Sequence, residues 1–165
     1  MLFTGCKRTS REALIEELFD KLGVLSPDEL ASRFGIFAEQ YILSIDVEAK
    51  LVVTMAKTGI YPAAVKYLSD LSSAINSLKS NGVELDAGPL IRITELLTAM
   101  MEAVGKLAAS LTQYDFSTIE EHMQFCAKNI RPLMDEARHY ADALEGEIAN
   151  ELWPYPTYQE MLFIK

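Results

Sequence analysis

The feature that most constrains this chain is the recurrence of large apolar residues at helical spacing over almost its whole length. Near the amino terminus they are Leu14, Ile15, Leu18, Phe19 and Leu22, followed by Leu30, Phe34, Phe37, Tyr41 and Ile45. Residues spaced three or four apart lie along one side of a helix, whereas a strand would show strict alternation, which no segment shows. The sequence therefore predicts an all-α bundle of about five helices with short loops.

Start and stop signals set the expected bounds of these helices. Capping boxes, in which a hydroxyl and a carboxylate satisfy free backbone N–H groups, are predicted at Thr9–Glu12, Ser26–Glu29 and Ser117–Glu120. The five helices are expected from the first box to Gly23, from Pro27 past Met55 to KTGIYP, from Pro62 to Asn81-Gly82, from about Pro89 to Leu111, and from Ser117 onward. The second helix is either unusually long or broken near Ser44, and Pro132 predicts a kink or a short break in the fifth.

The chain closes on WPYPTYQEMLFIK, which is rich in bulky apolar residues although chain ends are usually polar. The two prolines favour an extended path, and Thr157 with Glu160 forms a fourth capping box that opens a short helix. We call residues 153–165 the strap, after a flexible start at 1–9 and a bundle at 10–152. It is expected to pack on the bundle or to dock into a neighbouring subunit or domain. Its docking residues are predicted to be Trp153, Pro154, Tyr155, Pro156, Tyr158, Leu162 and Phe163.

The charge of the chain argues against binding to nucleic acid. The formal net charge is −9, and phosphate binding needs a basic patch. Between Asp115 and Glu151 there are nine acidic and three basic side chains, a net charge of −6. This excess indicates either a solvated helix face or a docking surface for a basic partner.

Cysteine usage and hydropathy point to a reduced, cytoplasmic protein. Cys6 and Cys126 are far apart and form neither a CxxC motif nor a metal-ligand spacing. No apolar run approaches the length of a membrane span; the segment Leu51–Ala56 is far too short.

The sequence carries little catalytic chemistry. It has no glycine-rich phosphate loop, no HExxH motif and no GxSxG elbow. Glu136 and His139 form a Glu-x-x-His pair of the kind that holds metals in di-iron bundles, but His122 has Ile119 where a second pair needs a glutamate. Glu95 and Glu102 are the remaining candidate carboxylates. We predict no catalytic, cofactor-binding or metal-ligating residue in the chain, and we interpret Met100 and Met101 as core residues.

Two segments carry a resemblance to a known family. Leu18–Ala49, with LFDKLGVLSPDELASRF followed by IFAEQY and DVEA, resembles the C-terminal helical region of type III glutamine synthetases. Arg131–Phe163, which ends in WPYPTYQEMLF, resembles it too, and the prolines interleaved with aromatic residues are the most specific element. The resemblance covers the chain from about Leu14 onward, and the first dozen residues depart from the family's pattern.

The resemblance implies a function by association with an enzyme. The family ligates ammonia to glutamate with ATP and with Mg²⁺ or Mn²⁺ held in an upstream catalytic domain, and none of that machinery matches a position here. It implies a detached or fragmentary C-terminal domain with a structural or assembly role, which packs on a glutamine synthetase catalytic domain or associates with itself. A free-standing helical adaptor or regulatory module is the alternative, and a carboxylate-bridged metalloprotein is a more distant one.

Overall fold

The computed structural model describes residues 10–113 and 115–162, apart from the side chains of residues 10–12, 158 and 159. Thr9, the side chain of Tyr158, and Phe163, on which parts of the predictions fall, thus lie outside the described residues. Every regular element in the described part is helical, which confirms the all-α prediction. The α-helices are α1 (Ser10–Lys21), α2 (Pro27–Met55), α3 (Tyr61–Ser80), α4 (Gly88–Ser110), α5 (Ile119–Phe125), α6 (Arg131–Glu145) and α7 (Tyr158–Leu162).

Side chains cap three of these helices at their amino termini. The predicted box at Ser26–Glu29 is present: the Glu29 N–H donates to Ser26 Oγ at 3.3 Å, and the Ser26 N–H donates to Glu29 Oε2 at 2.8 Å. The box at Thr157 is present too, with the Thr157 N–H donating to the Glu160 carboxylate at 2.9 Å. The box predicted at Ser117–Glu120 is wrong by one residue, because Thr118 takes the extended conformation of the cap and its hydroxyl accepts from the Glu121 N–H.

Two π-helical segments carry the chain through its internal prolines. Ala56–Ile60 joins α2 to α3 just before Pro62, and Cys126–Ile130 joins α5 to α6 just before Pro132. A proline inside an α-helix clashes with the carbonyl four residues back, and the wider π-turn relieves that clash. α2 ends at Met55, next to the predicted end at KTGIYP, and α3 begins at Tyr61, next to the predicted Pro62. At Pro132 the predicted kink or short break corresponds to a π-helical segment, through which the helical backbone continues.

Helix α4 lies at the centre of the bundle and contacts α2, α3 and α6. Its large buried residues follow the four-three spacing of a heptad seam and are Ile93, Leu97, Met100, Val104 and Leu107. Small residues on the neighbouring helices, Ala49, Ala64 and Ala137, are buried beside this seam or close to it and allow close approach of the backbones. Met100 is fully buried and Met101 packs against the same cluster, which confirms both as core residues.

The capping geometry makes a prediction about acid titration. The Ser26 backbone N–H and hydroxyl both donate to the Glu29 carboxylate and hold the pKa of that carboxyl below its ordinary value. Because the folded-state pKa is lowered, the ionised Glu29 side chain stabilises the start of α2 at pH values above the unfolded-state pKa. This stabilisation is lost as the pH falls through the folded-state pKa. We expect Ser26→Ala to raise the pKa of Glu29 in an NMR titration, whereas Ser69→Ala, on exposed α3 surface, should leave it unchanged. Equal Glu29 titrations in wild type and Ser26→Ala would contradict this account.

Candidate docking surfaces

The strap begins as an extended segment that returns to the bundle. After a short 3₁₀ turn at Asn150–Leu152, Trp153 has φ −70° and ψ 123°, the extended conformation expected for a residue before proline. Trp153 and Tyr155 are half-buried against the core cluster of the same chain, which contains Ile60 and Ala64. Pro154 and Pro156 lie between and after them and are exposed. The alternation thus places the aromatic rings on the bundle and the pyrrolidine rings toward solvent.

Tyr155 packs at a specific site on the first π-helical segment, between Met55 and Gly59, which we call its seat. Its hydroxyl donates to the Met55 carbonyl oxygen at 3.2 Å, at the point where α2 gives way to the π-turn. Its ring lies over Gly59: a Cβ built on Gly59 would stand 2.7 Å from Cζ of Tyr155 and 2.8 Å from Cε2, and closer still to the hydroxyl. Atoms do not approach that closely, so only glycine allows the ring to lie there.

The sequence indicates an apolar strap but not the site on the bundle where its Tyr155 packs. Gly59 is easily taken as a helix-ending residue because it stands before Pro62, yet its backbone is helical. A glycine inside a helical pattern often marks close approach of another group, and that signal was available.

The end of the strap contrasts with its beginning. In α7, Met161 is 54% exposed and Leu162 is 80% exposed. Leu162, one of the predicted docking residues, therefore has its side chain largely in solvent. Within the described residues, the strap consists of an aromatic half seated on the bundle and an apolar helical end that faces water.

A second apolar surface lies on the hairpin formed by α1 and α2. Three large residues of α1, one in the turn directly after it and two of α2 are between 44% and 69% exposed: Leu14, Ile15, Leu18, Leu22, Phe34 and Phe37. Their spacing predicted burial. However, α2 is the one element with which α1 makes more than slight contact among the described residues, and two helices packed on each other cannot cover their apolar faces completely. This surface, which we call the hairpin surface, is a candidate for contact with another molecule or domain.

The candidate metal residues remain on the outer parts of the bundle. His139 is exposed, with its ring 5.4 Å from that of Tyr140, and Glu136 is half-buried one turn before it. Glu95 and Glu102 are both exposed on α4. Within the described part of the chain, no three His, Cys, Asp or Glu side chains meet in a metal-binding arrangement.

The described cysteine is held in its neutral form. Cys126 is 3% exposed, and burial, with a further contribution from the Asp46 carboxylate, raises the pKa of its thiol. A neutral thiol is a poor nucleophile, so Cys126 acts as a small core residue. Among the described helices, none has the length and apolar character that a membrane crossing requires.

Comparison with known proteins identifies similar sequences. Residues 7–79 match the family described as the glutamine synthetase C-terminal domain. The type-3 glutamine synthetase of Dictyostelium discoideum is 31% identical over 158 residues, which cover 90% of this chain and 22% of that protein. The glutamine synthetases of Butyrivibrio fibrisolvens and Bacteroides fragilis are 31% and 26% identical, over 89% and 94% of this chain. The chain spans about a fifth of the length of these curated relatives, 22% in each.

The seat of Tyr155 yields a prediction with an internal control. Gly59→Ala should destabilise the protein by about 1–3 kcal/mol, because the new methyl group overlaps the ring. In a Tyr155→Ala background the same change should stabilise it by about 0.5–1 kcal/mol, the usual gain from glycine to alanine in a helix. Gly105→Ala, where a Cβ meets nothing within 4 Å, should stabilise both backgrounds alike.

Thermal melting measures these differences, and the fluorescence of Trp153, the single tryptophan of the chain, reports whether the strap is displaced. A Gly59→Ala protein that melts like the Gly105→Ala protein, with unchanged fluorescence, would mean that Tyr155 does not occupy this seat.

Proposed function

We propose that this chain, which is similar to the C-terminal domain of type 3 glutamine synthetases, serves such an enzyme as a structural or assembly domain. The observation that carries the proposal is the extent of the match, which covers 90% of this chain but 22% of the Dictyostelium relative. A share of that size is typical of one domain in a larger protein.

The hairpin surface supports a role in packing. Leu18 is 56% exposed and Phe37 is 69% exposed, among six such residues on α1, the turn after it and α2. Large contiguous apolar surfaces are uncommon on isolated soluble domains and mark contact with other molecules or domains. The exposed end of the strap, at Leu162, is a second surface of this kind.

The partner we propose is the catalytic domain of a glutamine synthetase, with a second copy of this chain as the alternative. The activity served is then the ATP-dependent ligation of ammonia to glutamate in the cytoplasm. ATP and Mg²⁺ or Mn²⁺ belong to the catalytic domain in this proposal, and no residue of this chain is assigned to them.

The first test concerns catalysis by the chain alone. The purified chain of residues 1–165 should form no glutamine from glutamate, ammonia and ATP, because the proposal assigns nucleotide and metal binding to another domain. A coupled assay for ADP release measures this, with an intact type 3 glutamine synthetase as the positive control. Turnover by the purified chain would refute the non-catalytic role.

The second test concerns association. The Dictyostelium enzyme, expressed without the 22% that matches this chain, should co-elute with the chain in size-exclusion chromatography. Leu14→Gln with Leu18→Gln should abolish co-elution, because these changes remove two of the three large apolar side chains that α1 contributes to the hairpin surface. The matched control is Val83→Gln with Leu85→Gln, which changes two similarly exposed residues in the loop before α4. Loss of co-elution in both variants, or in neither, would contradict a role for the hairpin surface.

A further inference from the structure

A groove between α2 and α5 lies apart from the strap and from the hairpin surface. Glu39, Ile42, Leu43 and Asp46 line it from α2, and Ile119 and His122 line it from α5. It has a volume of about 400 Å³, which is in the range of ligand-binding clefts. Leu43 is 63% exposed, so an apolar side chain of the groove is open to solvent.

The α2 side of the groove has an ordered pattern. Positions 39, 42, 43 and 46 share one helix face because they are spaced three, one and three residues apart. The two carboxylates stand at the ends of this face, roughly 10 Å apart along the axis at 1.5 Å per residue, with the two aliphatic side chains between them. The groove therefore presents acid, apolar, apolar, acid along about two turns of α2.

The opposite side of the groove is formed by Ile119 and His122 of α5. The ring of His122 is stacked on the ring of Phe116, with centroids 4.3 Å apart and planes 12° from parallel. Ile119 lies one turn earlier on the same face of α5. Since both come from the first turns of α5, which the Thr118 cap begins, the wall is set by helix geometry rather than by a loop.

The two carboxylates that line the groove, those of Glu39 and Asp46, both lie on α2. Asp46 is partly compensated by Lys50 at 2.7 Å, whereas Glu39 is an exposed carboxylate. None of the described residues that line the groove is a lysine or an arginine.

The negative charge of the groove distinguishes between the molecules that could bind in it. A second copy of the chain would bring a surface with a net charge of −9 against the same acidic residues, and like charges across an interface oppose association. A helix with lysine or arginine at positions i and i+7, and leucine or isoleucine at i+3 and i+4, would instead match the groove in both sign and spacing.

We propose that the groove between α2 and α5 binds a basic amphipathic helix of another polypeptide. The aliphatic residues of that helix pack on Ile42, Leu43 and Ile119, and its flanking cations lie beside Glu39 and Asp46. The inference goes beyond a role in a synthetase, since it concerns a different surface and fixes the chemistry of the partner rather than its identity.

The test uses two labelled peptides of equal length and periodicity, KAALLAAKAALLAAK and EAALLAAEAALLAAE, and fluorescence anisotropy. We expect the lysine peptide to bind the full chain and the glutamate peptide not to bind. Glu39→Gln with Leu43→Gln should weaken the binding of the lysine peptide by about tenfold or more, as loss of central interface contacts does. Binding should also weaken between about 10 mM and about 150 mM salt, where the Debye length falls from about 30 Å to about 8 Å.

The matched control is Glu84→Gln with Leu85→Gln, an exposed acid and an exposed leucine in the loop before α4, and it should leave binding unchanged. Equal weakening by both double variants would overturn the proposal in favour of general attraction to an acidic protein. Equal binding of both peptides, or of neither, would overturn it as well. A groove variant that turns a dimer of the chain into a monomer would show that a second copy is the occupant. Glu39→Gln alone, on an exposed side chain, provides the comparison if the double variant lowers helicity by circular dichroism.

Discussion

The heptad seam of α4 is the interaction on which the rest of the structure depends. Its five large buried residues span Ile93 to Leu107 and give α2, α3 and α6 a common surface. No polar or charged side chain is fully buried among the described residues, so no buried hydrogen-bond network fixes how these helices meet. The arrangement depends instead on shape: large residues of the seam pack near small residues such as Ala64 and Ala137, and the backbones approach closely.

The sequence predicts the helices well because their signals are local. The cap at Ser26 and the four-three spacing of α4 need no knowledge of the fold. The predictions are less exact where a local signal has two structural solutions. A proline in a helical pattern ends the helix or is accommodated by a π-turn, and the chain uses the π-turn before both Pro62 and Pro132. Two adjacent hydroxyl residues both suit a helix cap, and the backbone conformation at Thr118 decides between them.

Burial and contact between distant segments are harder to predict. Helical spacing indicates that one face of α1 is apolar, but whether the chain supplies a partner for that face depends on the tertiary arrangement, and Leu14 and Leu18 remain exposed. The aromatic pattern of the strap was visible in the sequence, whereas its seat needs the approach of Tyr155 to Gly59, 96 positions earlier in the chain. The groove also requires two helices that are distant in sequence, although the spacing of Glu39 and Asp46 around two aliphatic residues was present on α2 alone.

The exposed surfaces differ in the discrimination that they can provide. Apolar contact is not directional. The hairpin surface can therefore bind any apolar surface of complementary shape, and it distinguishes poorly between different binding partners. The groove combines a similar apolar contact with carboxylates at a fixed spacing, and wrong partners are rejected mainly by charges of the wrong sign. A chain with a net charge of −9 extends that rejection to its own copies. Association of this domain through apolar faces is therefore favoured with neutral or basic surfaces over acidic ones, and the groove imposes that preference most strongly.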